Sequence, residues 1–221
     1  MSIVVAIDGP SGSGKSTVAR LVADALGLEV LDTGAMYRAL THAVLAAGMD
    51  PRDGVSCAEI ANSVAVDVGE RVLLDGVDVT SAIRGPEVTA AVSTVSAHPE
   101  VRLVLVDRQR AWVDARNGGV VEGRDIGTVV FPDATVKVFL TASDDERARR
   151  RQRDEHDAHR QRDVDDVRDD LARRDHLDSS RQTSPLRAAP DAESIDTTGQ
   201  SVAEVVDHIV QRVWAARSKA D

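Results

Sequence analysis

Apolar residues cluster along the chain at two spacings, and the first two clusters predict a strand followed by a helix. Residues 3–8 read IVVAID, a short run of strand-forming residues. A glycine-rich segment follows, and beyond it apolar positions recur three and four residues apart, as on one face of a helix. These positions are Val18, Leu21, Val22, Ala25 and Leu26. The start of the chain therefore predicts a strand–loop–helix unit.

Further apolar runs predict a parallel sheet flanked by helices. The predicted strands are 28–32, 120–122, 136–140 and 194–198, and the predicted helices are 33–47, 87–97, 101–113 and 202–216. We expect the strands at 120–122 and 136–140 to be parallel neighbours of the first strand. Strands that alternate with helices in this way indicate an α/β fold.

Two regions depart from this alternation. Between residues 48 and 100, short alternating segments at 64–68, 71–75 and 77–80 are separated by the turn signals Gly69 and Asp75-Gly76, which predict a small antiparallel meander. Residues 144–181 are rich in acidic residues and arginine and poor in large apolar residues. Such a pattern is typical of exposed helices linked by ion pairs, with an exposed joint at 154–163. It also suits a mobile lid over a phosphate site.

We therefore expect one domain with two excursions from its core. The core comprises residues 1–47, 101–143 and 182–221, the β-rich insert is about 48–100, and the helical lid is about 144–181. A chain of 221 residues is long enough to bury one core of this kind.

Composition narrows the possible partners and compartments. The net charge is −10 and the pI is about 5.1, which argues against nucleic-acid binding and against binding to anionic membranes. Aromatic residues make up only 2% of the chain, so its core must be aliphatic. A single cysteine, Cys57, and the lack of a long apolar run or signal-peptide pattern predict a cytoplasmic protein, which we expect to be a monomer.

The glycine-rich segment matches the phosphate-binding pattern G-x-x-x-x-G-K-[ST]. Its backbone N–H groups and the helix N-terminus would surround phosphates, Lys15 would reach the β- and γ-phosphates, and Ser16 would bind Mg²⁺. The alternative is a Gly/Ser-rich connection with a chance lysine, but the flanking strand and helix favour a P-loop. The sequence therefore predicts a nucleoside triphosphate site. Its residues are Gly9, Pro10, Ser11, Gly12, Ser13, Gly14, Lys15, Ser16 and Thr17.

Two further groups of polar residues follow predicted strands. Thr33 and Arg38 come after the strand at 28–32, and Arg124 and Asp125 come after the strand at 120–122. The carboxyl ends of parallel strands form the ligand-binding edge of an open α/β sheet, and a hydroxyl with guanidinium groups suits a second phosphate. The alternatives are a helix cap formed by Asp32 or Thr33, and a turn with a surface ion pair at Arg124.

Arginines recur in the charged segment. Arg147, Arg150 and Arg151 lie close together on its first predicted helix, and Arg174 and Arg181 lie on or after the second. A P-loop core, an insert and an arginine-rich lid together suggest phosphoryl transfer between two small anions. A lid that excludes water would prevent wasteful ATP hydrolysis.

Four segments make the sequence resemble the bacterial cytidylate kinases, a branch of the P-loop nucleoside monophosphate kinases. They read IDGPSGSGK at 7–15, LDTGAMYR at 31–38, GRDIGTVVFP at 123–132, and R-D-x-x-D-x-x-R-x-x-x-P-L at 174–186. A P-loop alone indicates only a superfamily, whereas these four segments in this order are far more specific. The resemblance covers nearly the whole chain and implies that the β-rich insert binds the nucleoside monophosphate.

The resemblance also implies roles for individual residues. ATP would bind at Gly9–Thr17 with Mg²⁺ near Ser16, and the acceptors would be CMP and dCMP. Lys15, Arg124, Arg150 and Arg151 would be catalytic, although which lid arginines reach the transferred phosphoryl stays open. The implied acceptor-binding residues are Thr33, Arg38 and Arg124 for the phosphate, Ser93, Arg102, Asp125 and Arg181 for cytosine, Arg174 and Asp178 for the sugar, and Tyr37 beside them.

Two other functions remain open at this point. Another small-molecule P-loop kinase, for shikimate or dephospho-coenzyme A, would share the core and a lid but not the insert or the spacing of Arg174, Asp178 and Arg181. A regulatory nucleotide-binding module would bind nucleotide without turning over an acceptor, and an arginine-rich lid suits it less well.

Overall fold

A computed structural model describes residues 2–157 and 163–218, with the side chains of 154–157 excluded. Residues 158–162, half of the predicted joint at 154–163, lie outside the described residues. The chain divides into two compact units, Met1–Val30 with Asn117–Asp221, and Leu31–Arg116. The elements in chain order are β1 (Ile3–Asp8), α1 (Lys15–Leu26), β2 (Val30–Asp32), α2 (Thr33–Ala46), α3 (Gly54–Ser63), β3 (Val66–Val68), β4 (Val72–Leu74), β5 (Val77–Asp78), α4 (Pro86–Val95), α5 (Pro99–Arg116), β6 (Gly118–Gly123), β7 (Val136–Thr141), α6 (Asp144–Asp157), α7 (Val164–Ser179), β8 (Glu193–Asp196) and α8 (Val202–Arg217).

The main sheet has the order β2-β6-β1-β7-β8. Its central strand β1 pairs in parallel with β6 and β7, and Asp8 is in register with Gly123 on one side and Phe139 on the other. The prediction that these two strands are parallel neighbours of the first is confirmed. Because the strands are parallel and in this register, their carboxyl ends meet at one edge, beside the P-loop.

The core of the first unit is aliphatic, as the composition predicts. Apolar side chains from β1, β6 and β7 pack against one face of α1 and one face of α8. The terminal helix α8 begins with a capping box, in which the Ser201 side chain and Glu204 satisfy each other's backbone N–H groups. The fully buried members of this cluster include Val5, Ile7, Ala19, Val22, Val120, Leu140, Ile209 and Val213.

The second unit contains the predicted antiparallel meander. Strands β3, β4 and β5 form a separate three-stranded sheet, with Val66 opposite Leu74 and Leu73 opposite Asp78. Helix α3 was not predicted. Pro99 lies beyond the end of α4 and is the first residue of α5, where its missing N–H costs nothing.

The charged segment forms two helices, α6 and α7, as the pattern predicts. Among the side chains that the structure describes, the core between them consists of three buried residues, Ala148, Val167 and Leu171. Arg168 on α7 forms an ion pair with Asp145 on α6 at 2.9 Å. Ion pairs therefore supplement a very small apolar contact. Across the part of the chain that the structure describes, no helix is both long and apolar enough to cross a membrane.

Candidate active site

The P-loop follows β1 and curves through three glycines with positive φ. These are Gly9 (149°), Gly12 (79°) and Gly14 (91°). A Cβ atom on Gly9 would lie 2.1 Å from the carbonyl oxygen of Leu140, and one on Gly12 would lie 2.8 Å from that of Arg147. The loop can therefore approach β7 and α6 this closely only because these positions lack side chains.

Lys15, the first residue of α1, is only 7% exposed. Its Nζ donates a hydrogen bond of 2.8 Å to the carbonyl oxygen of Pro10. Burial, and next the charge of Arg124, lower the pKa of Lys15 to about 7, whereas Glu122 and Asp8 act in the opposite direction. A bound polyphosphate would favour the charged form, so the site is suited to an anion.

Ser16 lies beside a buried carboxylate that the sequence analysis did not assign to the site. Its Oγ donates a 2.9 Å hydrogen bond to Oε2 of Glu122, the penultimate residue of β6. A hydroxyl and a carboxylate oxygen are donors that suit Mg²⁺, which also binds substrate phosphates and water. No group of three or more His, Cys, Asp or Glu side chains among the described residues is arranged to hold a metal. The sequence signal that could have identified Glu122 is a carboxylate at the end of an apolar segment, in a strand predicted to lie next to β1.

Asp8 at the end of β1 is a second buried carboxylate that was not assigned. Its Oδ1 accepts a hydrogen bond from the N–H of Ile126, and its Oδ2 accepts one from the N–H of Gly127, both at 2.8 Å. Burial raises its pKa to about 6, although these two N–H groups lower it. Asp8 thereby connects β1 to the turn at 126–130 that follows Arg124 and Asp125.

One ion-pair cluster contains three of the residues that the resemblance assigns to the acceptor: Arg124, Asp178 and Arg181. Nε of Arg124 donates to Oδ2 of Asp178 at 3.0 Å, and Arg181 donates to Oδ1 of the same carboxylate. Burial would raise the pKa of Asp178, but the charges of Arg124, Arg181 and Arg174 hold it below its ordinary value. Burial, and next the charge of Arg124, lower the pKa of Arg174 to about 10.

The two arginines proposed as catalytic on α6 have different surroundings. Arg150 donates from Nε to Glu146 at 2.9 Å and from its terminal nitrogens to Oγ1 and O of Thr197, at 2.9 and 3.0 Å. Arg150 therefore lies against the end of β8. The charge of Arg151 also lowers the pKa of Arg174, so Arg151 lies near the Arg124–Asp178 cluster.

Helices α6 and α7 contact the P-loop through a residue pair outside the predicted site. Arg147 donates to the carbonyl oxygen of Ser11 at 3.1 Å and forms an ion pair with Asp175. The Ser11 N–H in turn donates to Asp175 Oδ1 at 3.4 Å. Arg147 and Asp175 thus bind the backbone C=O and N–H of the same P-loop residue, Ser11.

In the second unit, Thr33 is buried at the start of α2, where the side chain of Asp32 caps the helix by accepting from the N–H of Ala35 at 2.9 Å. Arg38, one and a half turns further along, donates to the carbonyl oxygen of Ile83 at 3.1 Å and to Oγ1 of Thr89 at 3.0 Å. The cap predicted as an alternative at this strand end is therefore present, and it is made by Asp32.

Tyr37, Ser93 and Arg102 are all buried in the same unit. The guanidinium of Arg102 lies 5.6 Å from the centroid of the Tyr37 ring and donates to the carbonyl oxygen of Ser96 at 3.4 Å. Ser93 is on α4, one turn after Thr89, the residue that Arg38 contacts. Contacts within this unit therefore link the helices that carry its predicted ligand-binding residues.

The sequence matches a known protein family and close relatives across nearly its full length. Residues 5–215 match the family profile described as cytidylate kinase. The cytidylate kinase of Mycolicibacterium paratuberculosis is 53% identical over 212 residues, covering 94% of this chain and 93% of that protein. The cytidylate kinase of Geobacillus kaustophilus is 50% identical over 217 residues, covering 96% of each.

Solved structures with this fold include kinases of other small molecules. A gluconokinase from Sinorhizobium meliloti has a TM-score of 0.52 at 14% identity, covering 99% of this chain and 95% of its own. Shikimate kinase from Acinetobacter baumannii, in complex with shikimate, has a TM-score of 0.50 at 16% identity, covering 96% and 93%. At such low identity these likenesses establish only the fold, which is the predicted α/β class.

Proposed function

The chain belongs to the cytidylate kinase family, and we propose that its residues divide between a donor site for ATP and an acceptor site for CMP. It is an enzyme, a kinase that phosphorylates CMP. One combined observation supports this conclusion. The chain is about 50% identical to cytidylate kinases over nearly its full length, and it has the P-loop with a buried lysine that a kinase requires. A kinase for another small molecule is not favoured, because the structural likenesses that would support it are far weaker.

At the donor site, ATP binds the P-loop from Gly9 to Thr17. Lys15 is a buried cation beside the loop backbone, and its charged form becomes favourable once phosphates arrive. The hydroxyl of Ser16 and the carboxylate of Glu122 would hold Mg²⁺ directly or through water, a role supported by their 2.9 Å contact. When bound, the metal neutralises charge on the phosphate oxygens.

At the acceptor site, Thr33, Arg38 and Arg124 bind the phosphate of CMP or dCMP. A hydroxyl and guanidinium groups are complementary to a phosphate, and each arginine can donate two parallel hydrogen bonds. Arg38 is already oriented by Ile83 and Thr89. Arg174 and Asp178 bind the sugar, which both acceptors share except at the 2′ position.

Ser93, Arg102, Asp125 and Arg181 read the base, and Tyr37 supports Arg102 through its ring. Cytosine offers a donor at its N4 amine and acceptors at N3 and O2, which suits a carboxylate combined with arginines. Uracil would turn O4 toward Asp125 and leave buried groups unpaired, at a cost of about 1–3 kcal/mol for each group. The enzyme should therefore prefer CMP and dCMP to UMP.

The reaction is an in-line transfer of the γ-phosphoryl of ATP to a phosphate oxygen of CMP. The acceptor is already an anion, so no general base is needed. Catalysis by this chain comes from positioning and from neutralising negative charge with Lys15, Arg124, Arg150 and Arg151. Arg151 lies near Arg174 and the Arg124–Asp178 cluster, whereas Arg150 must break its hydrogen bonds to Thr197 before it can contact a phosphate.

Two parts of the chain complete this proposal. Residues 48–100 are the insert that binds the nucleoside monophosphate, and residues 144–181 are the lid that keeps water from the reacting phosphates. We expect the protein to act as a monomer in the cytoplasm, where its single thiol, the buried Cys57, stays reduced.

An acceptor screen with ATP tests the proposal. We expect ADP release with CMP and dCMP, at least tenfold less with UMP in terms of kcat/KM, and none above background with AMP or shikimate. Equal turnover of UMP and CMP would contradict the assignment of the base pocket. Turnover of shikimate, or nucleotide binding without any turnover, would contradict the function itself.

A further inference from the structure

Asp8 connects two chain segments that surround Arg124 and Asp125. On one side of this pair, Gly123 is in register with Asp8 in the parallel pairing of β1 and β6. On the other side, the N–H groups of Ile126 and Gly127 both donate to the Asp8 carboxylate at 2.8 Å. Arg124 and Asp125 therefore form a two-residue segment, and the residues on both sides of it are held at Asp8.

The anchoring is strongest at Asp125. Its own carbonyl oxygen accepts from the N–H of Val129 at 2.9 Å, and the next N–H in the chain belongs to Ile126, which Asp8 binds. Asp125 is also only 4% exposed. The peptide unit between Asp125 and Ile126 is thus fixed through both its C=O and its N–H, which restricts the direction in which the Asp125 carboxylate can point.

The cost of this arrangement indicates that it does more than join two segments. Asp8 is 4% exposed, and burying a carboxylate is expensive unless its oxygens are hydrogen-bonded. The charged groups acting on it are Asp125, which disfavours its ionised form, and Lys15, which favours it. A backbone carbonyl or an amide oxygen could accept one N–H without carrying a charge. Only a carboxylate accepts both N–H groups with two equivalent oxygens.

We propose that Asp8 is a positioning residue that orients Asp125 so that the enzyme can distinguish cytosine from uracil. This inference rests on the proposed role of Asp125 in reading the base. Asp8 itself acts through the backbone at 126–127 and touches neither nucleotide.

The variant Asp8→Asn tests the inference, because it keeps the side-chain shape but places an NH₂ group opposite one of the two N–H donors. We expect the ratio of kcat/KM for CMP to that for UMP to fall about tenfold, whereas the KM for ATP changes less than about twofold. The matched control is Asp53→Asn. Asp53 also accepts two backbone N–H groups, from Val55 and Ser56 at 3.1 and 3.2 Å, but it is an exposed cap of α3. The control should keep the wild-type ratio.

Asp125→Asn separates failure of this inference from failure of the proposed function. If Asp125→Asn keeps the preference for CMP, Asp125 does not read the base and both ideas are wrong. If Asp125→Asn loses the preference but a folded Asp8→Asn keeps it, only the positioning role of Asp8 is wrong. Thermal melting of each variant establishes that it is folded.

A pH series on the wild-type enzyme gives a second measurement should Asp8→Asn fail to fold. The pKa of Asp8 is raised to about 6, so its carboxylate becomes protonated and loses an acceptor between about pH 7 and pH 5. The preference for CMP over UMP should fall over this range. Ionisation of the acceptor phosphate cancels, because CMP and UMP carry the same group. A constant ratio, or the same decline in a folded Asp8→Asn, would overturn the inference.

Discussion

The P-loop end of the sheet and the helical pair α6–α7 contact each other, yet different forces stabilise them. The P-loop follows β1, whose aliphatic side chains belong to a large core with α1 and α8, and its polar side chains bind mainly the backbone. Helices α6 and α7 have three buried apolar residues between them and many charged pairs. Apolar packing and backbone contacts therefore stabilise the first region, whereas the second is held by contacts that phosphate can replace.

This difference suggests how the two regions divide the work. Asp178 binds Arg124 and Arg181, and Asp175 binds Arg147, so carboxylates are the partners of these arginine side chains. Phosphate oxygens present the same geometry to a guanidinium as a carboxylate does. The P-loop therefore provides fixed positions, and the charged helices provide exchangeable ones.

The largest effect on activity should come from a substitution in the P-loop. Lys15→Met should lower kcat about 10³-fold, because it removes a cation from the developing charge on the transferred phosphoryl. The melting temperature should not fall, since methionine fills the same space without the cost of a buried charge. Steady-state kinetics and a thermal melt measure the two quantities. Near-normal turnover would show that the P-loop lysine is not catalytic.

The next effect separates buried from exposed ion pairs within α7 itself. Asp178→Asn should lower the free energy of unfolding by about 3 kcal/mol, because it leaves the buried guanidinium group of Arg181 and the partly buried one of Arg124 without their carboxylate. The control Asp170→Asn removes the 2.8 Å ion-pair partner of Arg173, whose side chain is 64% exposed, and should cost less than about 0.5 kcal/mol. Urea unfolding compares them. The contribution of Asp178 should persist at neutral pH and be lost as pH falls below about 4, because its pKa is below the ordinary 3.8.

A smaller effect concerns protons. Because the pKa of Lys15 is about 7 without nucleotide, most molecules carry a neutral Lys15 at pH 8, and binding of ATP should favour its charged form. Binding at pH 8 should therefore take up close to one proton, and binding at pH 6 should take up far less. Calorimetry in buffers of different ionisation enthalpy measures this number. Proton uptake that is unchanged in Lys15→Met would assign it to another group.

The smallest effect should be seen at the surface of the helical pair. Arg168, which is 41% exposed, joins Asp145 at 2.9 Å and Asp165 at 2.8 Å, and Arg168→Ala should cost at most about 1 kcal/mol. Raising salt to about 1 M should speed amide hydrogen exchange in α7 in the wild type but not in α1. Equal salt sensitivity in both helices would remove the distinction between the two regions.

The parts of the fold that the sequence predicted correctly are those with local signals. The P-loop pattern lies between an apolar run and a helical stripe, and β6 and β7 are apolar runs of the length expected for buried strands. Helix α3 was missed because its buried face consists of two small residues, Cys57 and Ala61, although Asp53 with Ser56 is an N-terminal cap signal. Asn117 and Gly118 follow the last residue of α5, as their helix-stop character indicates. Gly118 also begins β6, where a Cβ atom would lie 2.5 Å from the carbonyl oxygen of Ile3.

The candidate site was predictable only where residues form motifs. Asp8 and Glu122 lack a motif of their own, and each gains its role from an element distant in sequence: Glu122 from Ser16, and Asp8 from the turn after β6. The register of β1 with β6 brings these partners together, and register cannot be read from one strand alone. The contacts of Arg150 with Thr197 depend on the packing of α6 against β8 in the same way.

The close approach of Gly9 to Leu140 also limits how this protein can change over evolutionary time. Any side chain at Gly9 would collide with the backbone of a central strand, so a mutation there cannot be rescued by repacking a flexible neighbour. By contrast, a Cβ atom on Gly27 or Gly48 would meet nothing within 4 Å, and only the positive φ opposes it. A library of all single substitutions should therefore lose function with every replacement of Gly9 and accept asparagine at Gly27 and Gly48. The strand beside the loop therefore limits which substitutions the loop accepts, in addition to the limits set by phosphate binding.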